Sequence, residues 1–172
     1  MKPVFCTMAL LAFICLLQAQ TTYTTQDFRL GLDSRGAVSE LTDLVHQVNY
    51  ASGGPSFLLG IKTGGKVLEP VGFELRDEGL IYRFPGDLSV DLGIRNKGTY
   101  LRLEVLRVSH EQKIEAIVWG PIHTTIQETV GEFVGVVRNQ SYAIGIQALN
   151  VKTTGGALTD DQGYVPPRGS TA

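Results

Sequence analysis

Residues 88 to 108 read LSVDLGIRNKGTYLRLEVLRV, and this stretch decides the fold class. Apolar residues occupy alternate positions on both sides of Asn96-Lys97-Gly98, and mostly polar residues fill the positions between them. A period of two places successive side chains on opposite faces of a β-strand. A short polar segment with glycine is typical of the turn between two antiparallel strands. The stretch therefore predicts two strands that each have one buried face.

Short apolar segments separated by turn residues continue through most of the chain, and all 20 glycines follow residue 30. The best helix candidate, residues 123–130, is only one or two turns long, and its β-branched residues disfavour a helix. We therefore predict an all-β fold, a two-sheet antiparallel β-sandwich of about ten strands with at most one short helix. The predicted strands are 28–32, 37–44, 56–62, 67–75, 79–84, 88–94, 101–106, 113–119, 132–138 and 142–149.

Within segment 67–75, Pro70 interrupts the apolar pattern. Proline has no backbone N–H to donate to a neighbouring strand. The segment is therefore predicted to be an edge strand or to contain a bulge.

The first 19 residues are typical of a secretory signal peptide. Lys2 gives a positive start, an apolar run of about 14 residues follows, and the small residue Ala19 precedes a polar stretch. The apolar run is shorter than the roughly 20 residues that span a bilayer. We therefore predict cleavage after Ala19, a secreted or periplasmic protein, and no membrane attachment after cleavage.

Both cysteines, Cys6 and Cys15, fall inside this predicted signal peptide. The predicted mature chain therefore has no thiol for a disulfide, a metal site or a nucleophile. Removal of Lys2 takes away one positive charge and changes the formal net charge from −2 to −3. The chain has neither the basic stripe of a nucleic-acid-binding protein nor a dinucleotide, P-loop or GxSxG motif. We expect no cofactor and no nucleic-acid partner.

The domain organisation follows from where the strand pattern begins and ends. Residues 20–150 are predicted to form one β-sandwich domain. Residues 151–172, VKTTGGALTDDQGYVPPRGSTA, are rich in glycine, proline and small polar residues. Such a composition is typical of a tail or linker, and it also fits the truncated start of a following domain. We expect the chain to be the N-terminal part of a longer protein.

The candidate site residues lie within residues 119–132, WGPIHTTIQETVGE. Glu128 and Glu132 could form a glycosidase pair, which needs carboxyl groups about 5 to 9.5 Å apart. Four residues along a strand span about 13 Å, which is too far. A helix would bring the two Cβ atoms to about 6 Å, but Gly131 and the β-branched neighbours oppose a helix. The two glutamates are therefore expected to flank a turn.

Trp119 and His123 leave more alternatives open. Trp119 ends the apolar segment 114–118, so it could cap the core, stack on a sugar or contact another domain. His123 could act as a general base or metal ligand, but His46 and His110 are too distant in sequence to form a recognisable ligand pattern. His123 is expected to be structural or exposed, and no metal site is predicted.

Two segments resemble a known kind of module. They are residues 27–43, DFRLGLDSRGAVSELTD, and residues 119–156, WGPIHTTIQETVGEFVGVVRNQSYAIGIQALNVKTTGG. Both resemble the N-terminal β-sandwich region, of the galactose-mutarotase-like type, of large secreted bacterial proteins that degrade polysaccharides. The resemblance covers about residues 27–156. It implies a sandwich that packs on a catalytic domain, and it assigns no catalytic residue to this chain.

Three functional hypotheses follow. The first is a non-catalytic module of an exported glycoside-hydrolase-like protein that orients a C-terminal catalytic domain, and it predicts an exposed apolar patch. The second is a free-standing carbohydrate-binding or adhesion protein that binds a polysaccharide through Trp119 and tyrosines, and it predicts exposed coplanar aromatic rings. The third is a small secreted hydrolase or lyase, and it predicts a pocket where His123 meets Glu128 or Glu132.

Overall fold

The structure is a computed structural model that describes residues 21–54, 56–130 and 135–153. In these ranges the only regular structure besides β-strands is a 3₁₀ turn at Glu111–Lys113. The all-β prediction is therefore confirmed. Residues 123–130 contain no helix, and the strand Thr129–Val130 ends them. No helix in the described ranges is long and apolar enough to cross a membrane.

Fourteen strands are present in the described residues, more than the ten or so predicted, because several are only two or three residues long. In chain order they are β1 Thr21–Thr24, β2 Phe28–Leu32, β3 Val38–Asp43, β4 Val48–Asn49, β5 Leu59–Thr63, β6 Lys66–Leu68, β7 Gly72–Arg76, β8 Gly79–Phe84, β9 Leu88–Asn96, β10 Leu101–Val108, β11 Ala116–Trp119, β12 Thr129–Val130, β13 Val136–Arg138 and β14 Ala143–Gly145.

The strands form four antiparallel sheets. Their orders are β1-β2-β3-β4, β10-β9-β8-β7, β11-β5-β6 and β12-β13-β14. The first three sheets contribute side chains to one core, and the arrangement is consistent with a β-sandwich. The fully buried apolar and aromatic side chains at the centre of this core are Leu32, Leu58, Leu59, Ile61, Leu80, Tyr82, Val90 and Leu92.

The predicted strand 67–75 is divided at Pro70. Its first part is β6 and its second part is β7, and these are edge strands of two different sheets. Because Pro70 cannot donate a ladder hydrogen bond, the chain leaves one sheet at this residue and enters the other. The expectation of an edge was therefore correct, whereas the continuous strand was wrong.

The alternation in residues 88–96 has the predicted structural result, whereas the apolar side chains of β10 (Leu101, Leu103 and Val105) are only partly buried against the core. In β9, the side chains of Leu88, Val90, Leu92 and Ile94 are buried. Ser89 and Asp91 between them are only partly buried, and Gly93 is buried. β9 pairs with β8 on one side and with β10 on the other. The longest strand among the described residues is therefore an interior strand.

Tyr82 of β8 joins two sheets. Its side chain is fully buried, and its hydroxyl donates a hydrogen bond of 2.8 Å to the carbonyl oxygen of Gly36 in the turn between β2 and β3. The rings of Phe73 and Phe84 lie on either side of Tyr82 in the chain, with centroids 6.3 and 6.4 Å from its ring. Burial raises the pKa of the Tyr82 hydroxyl, so it remains a donor at neutral pH.

Gly79, at the start of β8, leads to the first prediction. A Cβ at this position would lie 2.0 Å from the carbonyl oxygen of Leu92, which is backbone and cannot move away alone. We expect Gly79→Ala to lower the free energy of unfolding by about 3 kcal/mol, measured by urea denaturation. Gly72→Ala in β7 is the matched control, because no heavy atom would lie within 4 Å of its Cβ. Similar losses in the two variants would contradict this packing.

Candidate functional site

Trp119, the only tryptophan of the chain, lies at the end of β11. It pairs with Leu59 of β5, and its partly buried side chain packs against the hydrophobic core. The preceding residue, Val118, pairs with Gly60 and lies on the opposite face of the sheet. The strand therefore presents Trp119 to the core and Val118 to the outside.

A groove of about 260 Å³ lies beside this strand end. We call it the corner groove. Its apolar lining includes Gly60, Val67, Pro70, Val118 and Pro121, and its polar side chains belong to Glu69 and His123.

The groove depends on Gly60 and on the turn after Trp119. A Cβ at Gly60 would lie 3.0 Å from Val67 Cγ1, so a larger residue would displace this wall of the groove. Gly120 has a positive φ of 73°, which favours glycine, and its N–H donates to the carbonyl oxygen of Leu58 at 2.9 Å. The peptide bond between Gly120 and Pro121 is cis. The positive φ of Gly120 and its hydrogen bond to Leu58 turn the chain directly after β11.

His123 lies at the groove with an exposed side chain and an anchored backbone. Its N–H donates to the hydroxyl of the buried Ser56 at 2.8 Å, and its carbonyl oxygen accepts from the N–H of Ser52 at 3.2 Å. The acidic side chain beside it in the groove lining is Glu69. His123 and Glu69 make no ion pair in the described part of the structure.

The other predicted site residues do not join this groove. Glu128 is exposed in the segment before β12 and is not part of the described groove lining. Glu132 lies outside the described residues. Sequence reasoning missed Glu69 as a groove residue. Glu69 and His123 line the same groove only because β5 pairs with both β6 and β11.

The described aromatic residues do not form an exposed, coplanar platform. Tyr50 is buried and stacks face to face on Tyr142, with ring centroids 5.1 Å apart and planes inclined by 4°. Burial, reinforced by the nearby carboxylate of Asp43, raises the pKa of Tyr142 to about 12. Tyr100 is exposed but makes no contact with another ring in the described ranges. Tyr164 lies outside them.

A second polar cluster, not identified from the sequence, closes the loop between β3 and β4. The carboxylate of Asp43 is buried, hydrogen-bonds Nδ1 of His46, and accepts the N–H of Val45 at 2.8 Å. Burial opposes the negative charge, but the hydrogen bonds from His46 and from the two backbone N–H groups outweigh it and hold the pKa of Asp43 below its ordinary value. No described side chain hydrogen-bonds the other ring nitrogen of His46.

An imidazole oriented by a carboxylate supplies two of the three members of a hydrolytic triad. Among the described residues, no nucleophilic side chain hydrogen-bonds the His46 ring. The described residues contain no group of three or more His, Cys, Asp or Glu side chains that could hold a metal ion. The hydrogen bonds of Asp43 with His46 and with the N–H groups of Val45 and His46 stabilise this turn.

Comparison of the chain with protein-family models, curated proteins and solved structures gives no match.

The position of Trp119 leads to a prediction about stability. We expect Trp119→Ala to lower the free energy of unfolding by about 3 kcal/mol, because partly buried aromatic contacts with the core are lost. Trp119→Phe should retain most of them. The control is His123→Ala, which removes an exposed side chain and should change stability by about 0.5 kcal/mol or less. Urea denaturation measures all three, and an unchanged midpoint in Trp119→Ala would contradict the core contact.

The Asp43 carboxylate leads to a prediction about pH. Because its pKa is lower in the folded than in the unfolded chain, its stabilising contribution is present above the ordinary value of 3.8 and is lost as pH falls below it. We expect the stability of Asp43→Asn to be lower than wild type near neutral pH and to fall less steeply below about pH 4. Asp77→Asn, at an exposed carboxylate, is the control. Equal acid sensitivity of wild type and Asp43→Asn would exclude this contribution.

Proposed function

We propose that this chain is a non-catalytic β-sandwich module of an exported glycan-processing, glycoside-hydrolase-like protein, and that it supports and orients a catalytic domain that follows it. The observation that carries the proposal is an apolar surface formed by the corner groove and by the adjacent free edges β6 and β7.

This surface contains large exposed apolar side chains. Val67, Val71 and Leu75 are exposed by 43%, 62% and 60%. They follow one another along β6, the connection at Pro70, and β7, which are edge strands of their sheets. Val67 is also a wall of the corner groove. Free edges and apolar surface are the features by which β-proteins associate with other chains or domains, so they support a docking role.

The polar groups of the corner groove support docking better than catalysis. Acid–base catalysis requires groups within hydrogen-bond reach of each other or of a common substrate atom. The exposed His123 and Glu69 form no hydrogen bond or ion pair with one another in the described residues. They are suited to the polar rim of an interface around an apolar centre.

The glycan-processing part of the proposal is supported by the resemblance of residues 27–43 and 119–156 to secreted polysaccharide-degrading proteins. Export is supported by the charge and hydrophobicity of the first 19 residues. The alternative of a free-standing sugar-binding protein that uses Trp119 and tyrosines is less favoured, because Trp119 packs against the core and Tyr50 and Tyr142 cover each other.

The test compares two substitutions that introduce the same negative charge at two exposed valines. Val71→Glu places a carboxylate on the proposed docking surface, and Val45→Glu places one in the loop after β3, where the valine is 73% exposed. In the protein as its native source exports it, we expect Val71→Glu to lower the melting temperature by several degrees and to reduce glycan hydrolysis, since a charge buried at an interface is unfavourable. Val45→Glu should change neither.

Both variants are also made in the isolated chain, where each should change the free energy of unfolding by about 0.5 kcal/mol or less. Indistinguishable behaviour of the two variants in the exported protein would exclude docking through this surface. Hydrolysis of a glycan by the isolated chain would contradict the non-catalytic assignment.

A further inference from the structure

A trough of about 490 Å³ lies on the face of the β10-β9-β8-β7 sheet that points away from the core. It is separate from the corner groove, which belongs to the β11-β5-β6 sheet. Its lining comes from side chains that alternate with the core residues of β8 and β9, together with residues of β7 and β10.

Two glycines pair across the sheet at the trough. Gly79 of β8, which lines the trough, is opposite Gly93 of β9. Gly79 has no room for a Cβ, which would lie 2.0 Å from the carbonyl oxygen of Leu92. The register shift between Val105 and Arg107 turns Leu106 outward over Gly93, so that a Cβ on Gly93 would lie 3.2 Å from Leu106 Cδ1. Leu106 is therefore an exposed apolar wall of the trough.

Beside the two glycines runs a row of three cross-strand neighbours. Ile81 of β8 pairs with Asp91 of β9, and Asp91 pairs with Arg107 of β10. The carboxylate of Asp91 and the guanidinium of Arg107 make no hydrogen bond or ion pair with any other side chain in the described ranges. One acceptor and one donor thus lie on adjacent strands next to the apolar Ile81.

The remaining charged groups around the trough are paired. Arg83 Nε donates to Glu74 at 3.0 Å, and Arg76 Nη2 lies 3.5 Å from the same carboxylate. Arg95 Nη2 donates to Glu78 at 3.2 Å. Together with Asp91 and Arg107 these groups are four arginines and three carboxylates, so the formal net charge around the trough is only +1 and gives little selection of an ion by net charge.

These features fit one ligand chemistry. A sugar hydroxyl both donates and accepts hydrogen bonds, so adjacent hydroxyls can donate to Asp91 and accept from Arg107. The C–H face of a pyranose ring is apolar and suits Ile81 and Leu106. Addition of a peptide strand is not possible at β8 and β9, because they are interior strands whose backbone groups are already paired. We propose that this trough binds an uncharged saccharide chain, an inference that rests on the proposed role in glycan processing.

The experiment is affinity electrophoresis of the isolated chain in gels that contain one soluble polysaccharide each. The probes are mixed-linkage β-glucan, galactomannan, arabinoxylan and pullulan, which are neutral, and polygalacturonate, which is acidic. We expect retardation by at least one neutral polysaccharide, and about tenfold or greater weakening in Asp91→Ala and in Arg107→Ala, because each loses a charge-assisted hydrogen bond. Circular dichroism verifies that the variants are folded.

Two matched controls remove a guanidinium and a carboxylate outside the trough. Arg35→Ala and Glu111→Ala change exposed residues outside the trough and should bind as the wild type does. Val71→Glu should also bind normally, so that loss of docking and loss of saccharide binding are distinguishable. Retardation by none of the neutral polysaccharides, retardation by polygalacturonate alone, or unchanged retardation in both trough variants would each overturn the proposal.

Discussion

The hydrogen bond from the buried Tyr82 hydroxyl to the Gly36 carbonyl oxygen is the contact on which the arrangement of this chain depends. It links the centre of one sheet to a turn of another across the core. A hydroxyl taken out of water needs such a partner, because a buried donor without one is destabilising. This hydrogen bond therefore specifies the position of β8 relative to β2 and β3. Burial of apolar side chains also holds these strands together, but it is less directional.

The two proposed surfaces follow from that position. Tyr82 pairs with Phe73 of β7, so fixing β8 also fixes the free edge that continues through Pro70 into β6. That edge forms one wall of the corner groove. On the outer side of the same sheet, residues of all four strands line the trough. The exposed apolar side chains of the docking surface and the lining of the trough are different residues, so the two do not compete.

The sequence was sufficient for the fold class because a period of two is a local signal. The alternation in residues 88–108 identifies two strands and their buried faces without knowledge of any partner. Two-residue strands such as β4 carry no such signal, because they exist only through pairing with longer neighbours. Pro70 indicated an edge, but only the three-dimensional arrangement shows that the strands before and after it belong to different sheets.

The candidate site was harder to predict, because its neighbours are distant in sequence. His123 and Glu69 both line the corner groove because β5 pairs with β6 and with β11. Tyr50 stacks on Tyr142, which is 92 positions later in the chain, and no motif indicates this contact. The Asp43–His46 pair is local, but a spacing of three residues in a loop is too common to identify from sequence. The side to which Trp119 turns depends on its register with Leu59.

We propose that a catalytic domain covers the corner groove and the edge formed by β6 and β7 in the exported protein. Hydrogen–deuterium exchange tests it most directly, by comparison of the isolated chain with the protein as its native source exports it. We expect the amides of residues 66–76 and 117–123 to exchange more slowly in the exported protein, whereas those of the β3–β4 loop should exchange equally in both. Equal exchange of residues 66–76 in the two samples would contradict it.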